Sequence, residues 1–151
     1  MKSNAVNLLK TQIEFNNDVI LKNIEGISHQ ESMIFPNGEA NCMNWIFGHL
    51  IFIRNAFIEI LGGKPVWKNE DFLCYNRGEK PLERIDELQD FEFLKTHFKK
   101  SVEELNSVFE TLGDLEQQTI TDLAGLSLHE IYHSGQLGYL RRILGKEGAI
   151  K

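Results

Sequence analysis

Cysteine is scarce: Cys42 and Cys74 are the two in the chain, too few for a disulfide framework, so a reducing, cytoplasmic setting is expected. Prolines number three and no low-complexity run occurs, which argues against a disordered chain. Long hydrophobic runs are also missing. The longest apolar stretches are broken by Gly48, His49 and Arg54, or by Gly62, so no membrane span of about 20 residues is expected. The opening MKSNAVNLLKTQIEFNND turns polar too early for a secretory signal. Basic residues are outnumbered, 16 against 22 acidic ones. The net charge of −6 repels phosphate backbones, which disfavours nucleic acid as a partner. What is present is apolar side chain, 42% of 151 residues, enough for the core of a single domain spanning residues 1–151.

Apolar residues recur with helical spacing. Val6, Leu9, Ile13, Asn16, Ile20 and Ile24 mark a first helix over about residues 4–25, with Ser3 as cap and Gly26 as stop. A turn-rich segment, residues 28–40, contains Pro36-Asn37-Gly38. The second helix carries Trp45, Ile46, His49, Ile53, Phe57 and Ile60 and ends at Gly62-Gly63. A third begins near Asp86 or Asp90, presents Leu94, Phe98, Val102, Leu105 and Phe109, and stops at Gly113. The fourth begins near Thr119 or Thr121 and runs to Gly145. The spacing predicts an all-α four-helix bundle. Residues 62–86 form a connection long enough to cross the bundle, and Trp67, Phe72, Leu73, Cys74 and Tyr75 predict that it packs against the helices.

Five histidines punctuate this pattern. His129 and His133 lie one turn apart on the core-facing stripe continued by Gln136, Leu137, Leu140 and Leu144. Two neighbouring core imidazoles need partners, and a metal ion satisfies both. His49, on the apolar stripe between Ile46 and Ile53, supplies a third ligand; the alternative is a hydrogen-bonded core histidine. Three histidines without a fourth protein ligand leave an open position, the mark of a catalytic site. Imidazole suits zinc, nickel and iron alike, so the identity of the ion stays open. His97 reads as a half-exposed surface residue, His29 as a loop residue, and Cys42 as a small core side chain.

His129-Glu130-Ile131-Tyr132-His133 also spells H-E-x-x-H, in which the glutamate of a zinc protease is the general base. The short chain, the lack of a strand to hold an extended peptide and the absence of a further ligand at metal spacing weigh against a peptidase. Glu130 is therefore a candidate base, with a solvated or supporting carboxylate as the alternative. Asn16, on the core face of the first helix, and Gln136, one turn beyond His133, are candidates to support a ligand or touch a substrate. For Gln136 an amide bonded to backbone or water is an equal alternative.

Residues 128–146, LHEIYHSGQLGYLRRILGK, closely resemble the last helix of the DinB-like superfamily, also called the YfiT-like or bacillithiol S-transferase-like group. Residues 44–50, NWIFGHL, resemble its second-helix signature, an aromatic turn followed by Gly-His-Leu. The resemblance extends over the whole chain in helix order. It implies a four-helix bundle with up-down-down-up connectivity, a divalent metal held by His49, His129 and His133, and a homodimer. It also implies metal-dependent chemistry on a small molecule: transfer of a low-molecular-weight thiol to an electrophile, isomerisation, or hydrolysis. A non-catalytic metal-binding or stress-response protein is the reading from a different class.

Overall fold

The Ser3 side chain accepts a hydrogen bond from the Val6 backbone N–H and starts helix α1 (Asn4–Ile24). The computed structural model describes residues 3–150 and is all-helical, with no strand among the described residues. After α1 come a one-turn helix α2 (His29–Ser32), then α3 (Met43–Ile60), α4 (Phe91–Thr111) and α5 (Gln117–Ile143). Short 3-10 helices occupy Pro36–Gly38, Asn69–Tyr75 and Pro81–Glu87. No helix among the described residues is long and apolar enough to cross a membrane.

The four long helices fall where periodicity places them, and three differences are local. Residues 28–40 are not turns alone. Ser28 and Glu31 form a reciprocal capping box that opens α2, so His29 sits on a helical turn and its Nδ1 accepts from the Phe91 N–H. Helix α5 begins at Gln117, ahead of both threonines, after Glu116, whose side chain makes no capping hydrogen bond. Asp90, not Asp86, caps α4, accepting from the Glu92 N–H. The two glycines that close α3 and α5, Gly62 and Gly145, both adopt positive φ, which an L side chain resists.

Helix α3 is the most buried element and packs against both α4 and α5, while α1 packs against α5. Two apolar clusters fill the interior. One gathers Ile20, Phe47, Leu50, Phe91, Phe98 and Leu137; the other gathers Val6, Ile13, Phe57, Leu105, Phe109 and Leu123. Between them lies a polar layer to which each long helix gives one buried residue: Asn16, Arg54, Ser101 and Glu130. Along α1 and α5 the chain meets the second cluster first; along α3 and α4 it meets the first cluster first.

The connection between α3 and α4 packs on α3 rather than hanging free. Asn55 ties it down, donating to the Trp67 carbonyl and the Asn69 side chain and accepting from the Val66 N–H. Trp45 donates to the Cys74 carbonyl at 2.7 Å. Tyr75 is fully buried; its hydroxyl donates to Asn44 Oδ1 and accepts from the Gln89 N–H. A Cβ on Gly48 would collide with the Tyr75 ring, so only glycine lets this segment lie against α3.

Candidate metal centre

His49 sits mid-way along α3 and is almost fully buried, and Trp45, one turn earlier, stacks on its ring with centroids 4.8 Å apart and planes 7° from parallel. Its Nδ1 lies 2.7 Å from the Tyr75 carbonyl oxygen. A carbonyl only accepts, so Nδ1 carries the proton and Nε2 presents a lone pair. On α5, His133 Nδ1 lies 2.6 Å from Gln136 Oε1, which fixes the same tautomer. Both Nε2 atoms point at His129: His49 Nε2 is 3.3 Å and His133 Nε2 is 3.2 Å from His129 Nε2.

This arrangement fits a cation. A proton on His129 Nε2 serves one of the two facing lone pairs and leaves the other unmatched. His129 Nδ1 is itself buried without a partner. One ion accepting three Nε2 lone pairs resolves the conflict. Two imidazoles about 2.1 Å from a common ion at an angle of about 100° stand about 3.2 Å apart, the separation found here. The ligand atoms of all three histidines lie within 4.8 Å of one another, close enough to hold one metal ion.

The electrostatics favour neutral, ligating imidazoles. Burial pushes the His49 pKa down to about 4, against the smaller opposing effect of the Tyr75 carbonyl. Burial also lowers His129, helped by the nearby Arg77 charge. His133 is lowered by burial, although its bond to Gln136 opposes the shift.

The three imidazoles form one wall of a cavity of about 510 Å³. Trp45, Leu128 and Tyr132 give it apolar surface, and Asn41, Arg77 and Gln136 give it polar groups. Among the described residues, no aspartate or glutamate lines it.

Glu130 and Asn16 are not at this cavity. A step of one residue along a helix turns the side chain by about 100°, so Glu130 points away from its histidine neighbours into the interhelical layer. There its two oxygens accept from Arg54 Nε at 2.8 Å and Arg54 Nη2 at 2.7 Å, and Asn16 Nδ2 adds a contact at 3.4 Å. Glu130 is thus neither solvated nor placed as a base beside the histidines. Gln136 does lie at the cavity, on His133. His97 is half-buried, its Nδ1 on the Phe93 carbonyl and its ring against Phe93 and Trp67.

Sequence reasoning missed the Tyr75 carbonyl, Trp45, Tyr132 and Arg77. Trp45 and Tyr132 were within reach, one turn and one residue from a ligand. Tyr75 and Arg77 belong to the non-helical connection, where no periodicity signals which side chain faces what. The chain matches no protein-family model and no curated protein.

Proposed function

We propose that the chain is a DinB-like four-helix bundle that holds a divalent ion on His49, His129 and His133 and transfers a small thiol to an electrophile. The observation that carries this is the convergence of three Nε2 atoms on an open cavity with no fourth histidine, cysteine or carboxylate among the described residues in the group. The order in which the helices meet the two apolar clusters supports up-down-down-up connectivity, and the two quoted motifs support the superfamily.

A divalent ion supplies an open position at which a thiol or a water loses its proton near neutral pH. The protein's own groups prepare that position. Tyr75 and Gln136 hold the protons of His49 and His133 on Nδ1, so both ligands meet the ion with lone pairs. Trp45 stacks on His49 and covers one face of its ring. Leu128 and Tyr132 offer surface for the body of a substrate.

The position of Glu130 weighs against a zincin-like hydrolase in particular. A zincin-like hydrolase needs a free carboxylate to take the proton of the attacking water, and here both oxygens are bound to Arg54. The same reading carries a cytoplasmic homodimer acting on a small molecule, with neither nucleic acid nor membrane as partner. Zinc, nickel and iron are its candidate ions.

The test is metal analysis of the purified protein, followed by turnover of electrophiles with a panel of small thiols, and of esters and amides without them. Metal-dependent thiol conjugation is expected. A protein that binds metal and turns over nothing would favour the non-catalytic binding reading.

A further inference from the structure

Arg77 stands apart from the other arginines. Arg54 is paired with Glu130, Arg84 with Glu79 and Glu87, and Arg141 and Arg142 donate to backbone carbonyls. Among the described residues, no carboxylate or carbonyl meets the Arg77 guanidinium. In a chain where acids outnumber bases by 22 to 16, an unpaired arginine is the exception, and this one lines the cavity that holds the three histidines.

Its backbone belongs to the same segment whose Tyr75 carbonyl holds His49. Tyr75 is locked by Asn44 and Gln89, and its carbonyl holds His49. Two residues on, the Arg77 N–H donates to the Asn76 side chain at 2.8 Å, and Gly78 with φ +83° turns the chain away. The backbone at Arg77 is thus held beside the histidines, and its exposed side chain lines the cavity, where among the described residues no acidic residue competes for it.

We infer that Arg77 binds a carboxylate of the substrate, so that the cavity takes a small carboxylate-bearing thiol or electrophile by two points: the anion at Arg77 and the reacting group at the histidines. The planar fork of guanidinium matches a carboxylate with two parallel hydrogen bonds. The overall negative charge repels free anions, and an unpaired arginine in a concave site offsets that repulsion locally. The inference rests on the cavity being the metal-dependent site proposed above.

The experiment uses the full chain loaded with Co²⁺ and titrated with 3-mercaptopropionate and its neutral amide, followed by the visible spectrum of the ion and by calorimetry. The acid should bind at least about 10-fold tighter than the amide, and Arg77→Gln should erase that preference without weakening Co²⁺ binding. Equal binding of acid and amide, or a preference that survives in Arg77→Gln, would overturn the assignment. Inorganic phosphate forms a second arm: Arg77-dependent binding of phosphate with none of the carboxylate would also overturn it. Should Co²⁺ fail to bind, the metal reading falls by itself. Calorimetric titration of the metal-free protein with the same acid and amide then decides the role of Arg77 by the same two outcomes.

Discussion

Arg54 and Glu130 are joined by two parallel hydrogen bonds, with both side chains inside the protein, one from α3 and the other from α5. The pair sits at the level that separates the two apolar clusters, with the Arg54 guanidinium 4.4 Å above the Phe98 ring and its Nη1 on Ser101. A residue that a motif search assigns to proton transfer is here an interior strut.

That pairing predicts a stability pattern. Glu130→Leu strands a buried guanidinium and should cost about 3–5 kcal/mol, read by urea unfolding. The double variant Arg54→Met with Glu130→Leu removes both charges and should recover most of the loss, because apolar side chains of similar volume replace a desolvated pair at little net cost. A double variant as unstable as the single one would contradict this account.

Catalysis gives a second outcome for the same residue. In thiol transfer Glu130→Gln should change the rate of the folded protein by less than about 10-fold, since no proton passes through it. A loss of about 10²-fold or more at full folding would instead make Glu130 a working base.

His133→Ala should lower divalent-metal affinity by at least about 100-fold, measured by competition with a chelating dye. The helical content should be unchanged, because the interior on α5 is supplied by Leu123, Leu137 and Leu140. Gln136→Leu leaves the ligand but frees its tautomer, and should cost about 10-fold to 100-fold in affinity. An affinity unmoved by Gln136→Leu would show that the amide only covers the ring.

Acid should destabilise the metal-free protein through His49. Burial holds its folded pKa at about 4 against an ordinary value of 6.5. Between those values the unfolded chain binds a proton that the folded chain refuses. The stability contribution is therefore fully present above pH 6.5 and is lost as pH falls towards 4. Unfolding free energy measured across this window should decline, and His49→Gln should make the decline shallower, with His129 and His133, lowered in the same direction, supplying the rest.

The helices and the convergence of the three histidines were readable because long stretches with a repeat of 3.6 residues dictate which face is buried, and His49, His129 and His133 all lie on such faces. The same rule turns Glu130 off the His129 face, although H-E-x-x-H places it next to His129 in sequence. The Ser28/Glu31 box was also written in the sequence, as S-x-x-E, yet it sits in a segment dominated by turn residues. Arg77 and the Tyr75 carbonyl were not readable. The Tyr75 carbonyl is placed by contacts distant in sequence, such as His49 with Tyr75 and Tyr75 with Asn44, and Arg77 follows it in the same segment; local spacing carries no record of these.

The close fit of the Tyr75 ring over Gly48 has a thermodynamic side. The carbonyl that sets the His49 tautomer arrives only when the α3–α4 connection has seated itself on α3. If the histidines take up an ion as proposed, seating of that connection and capture of the ion form one linked equilibrium, in which each strengthens the other by the same factor. Anything that lifts the connection, a methyl group at position 48 included, would then loosen the ion, and the ion would clamp a segment it never touches.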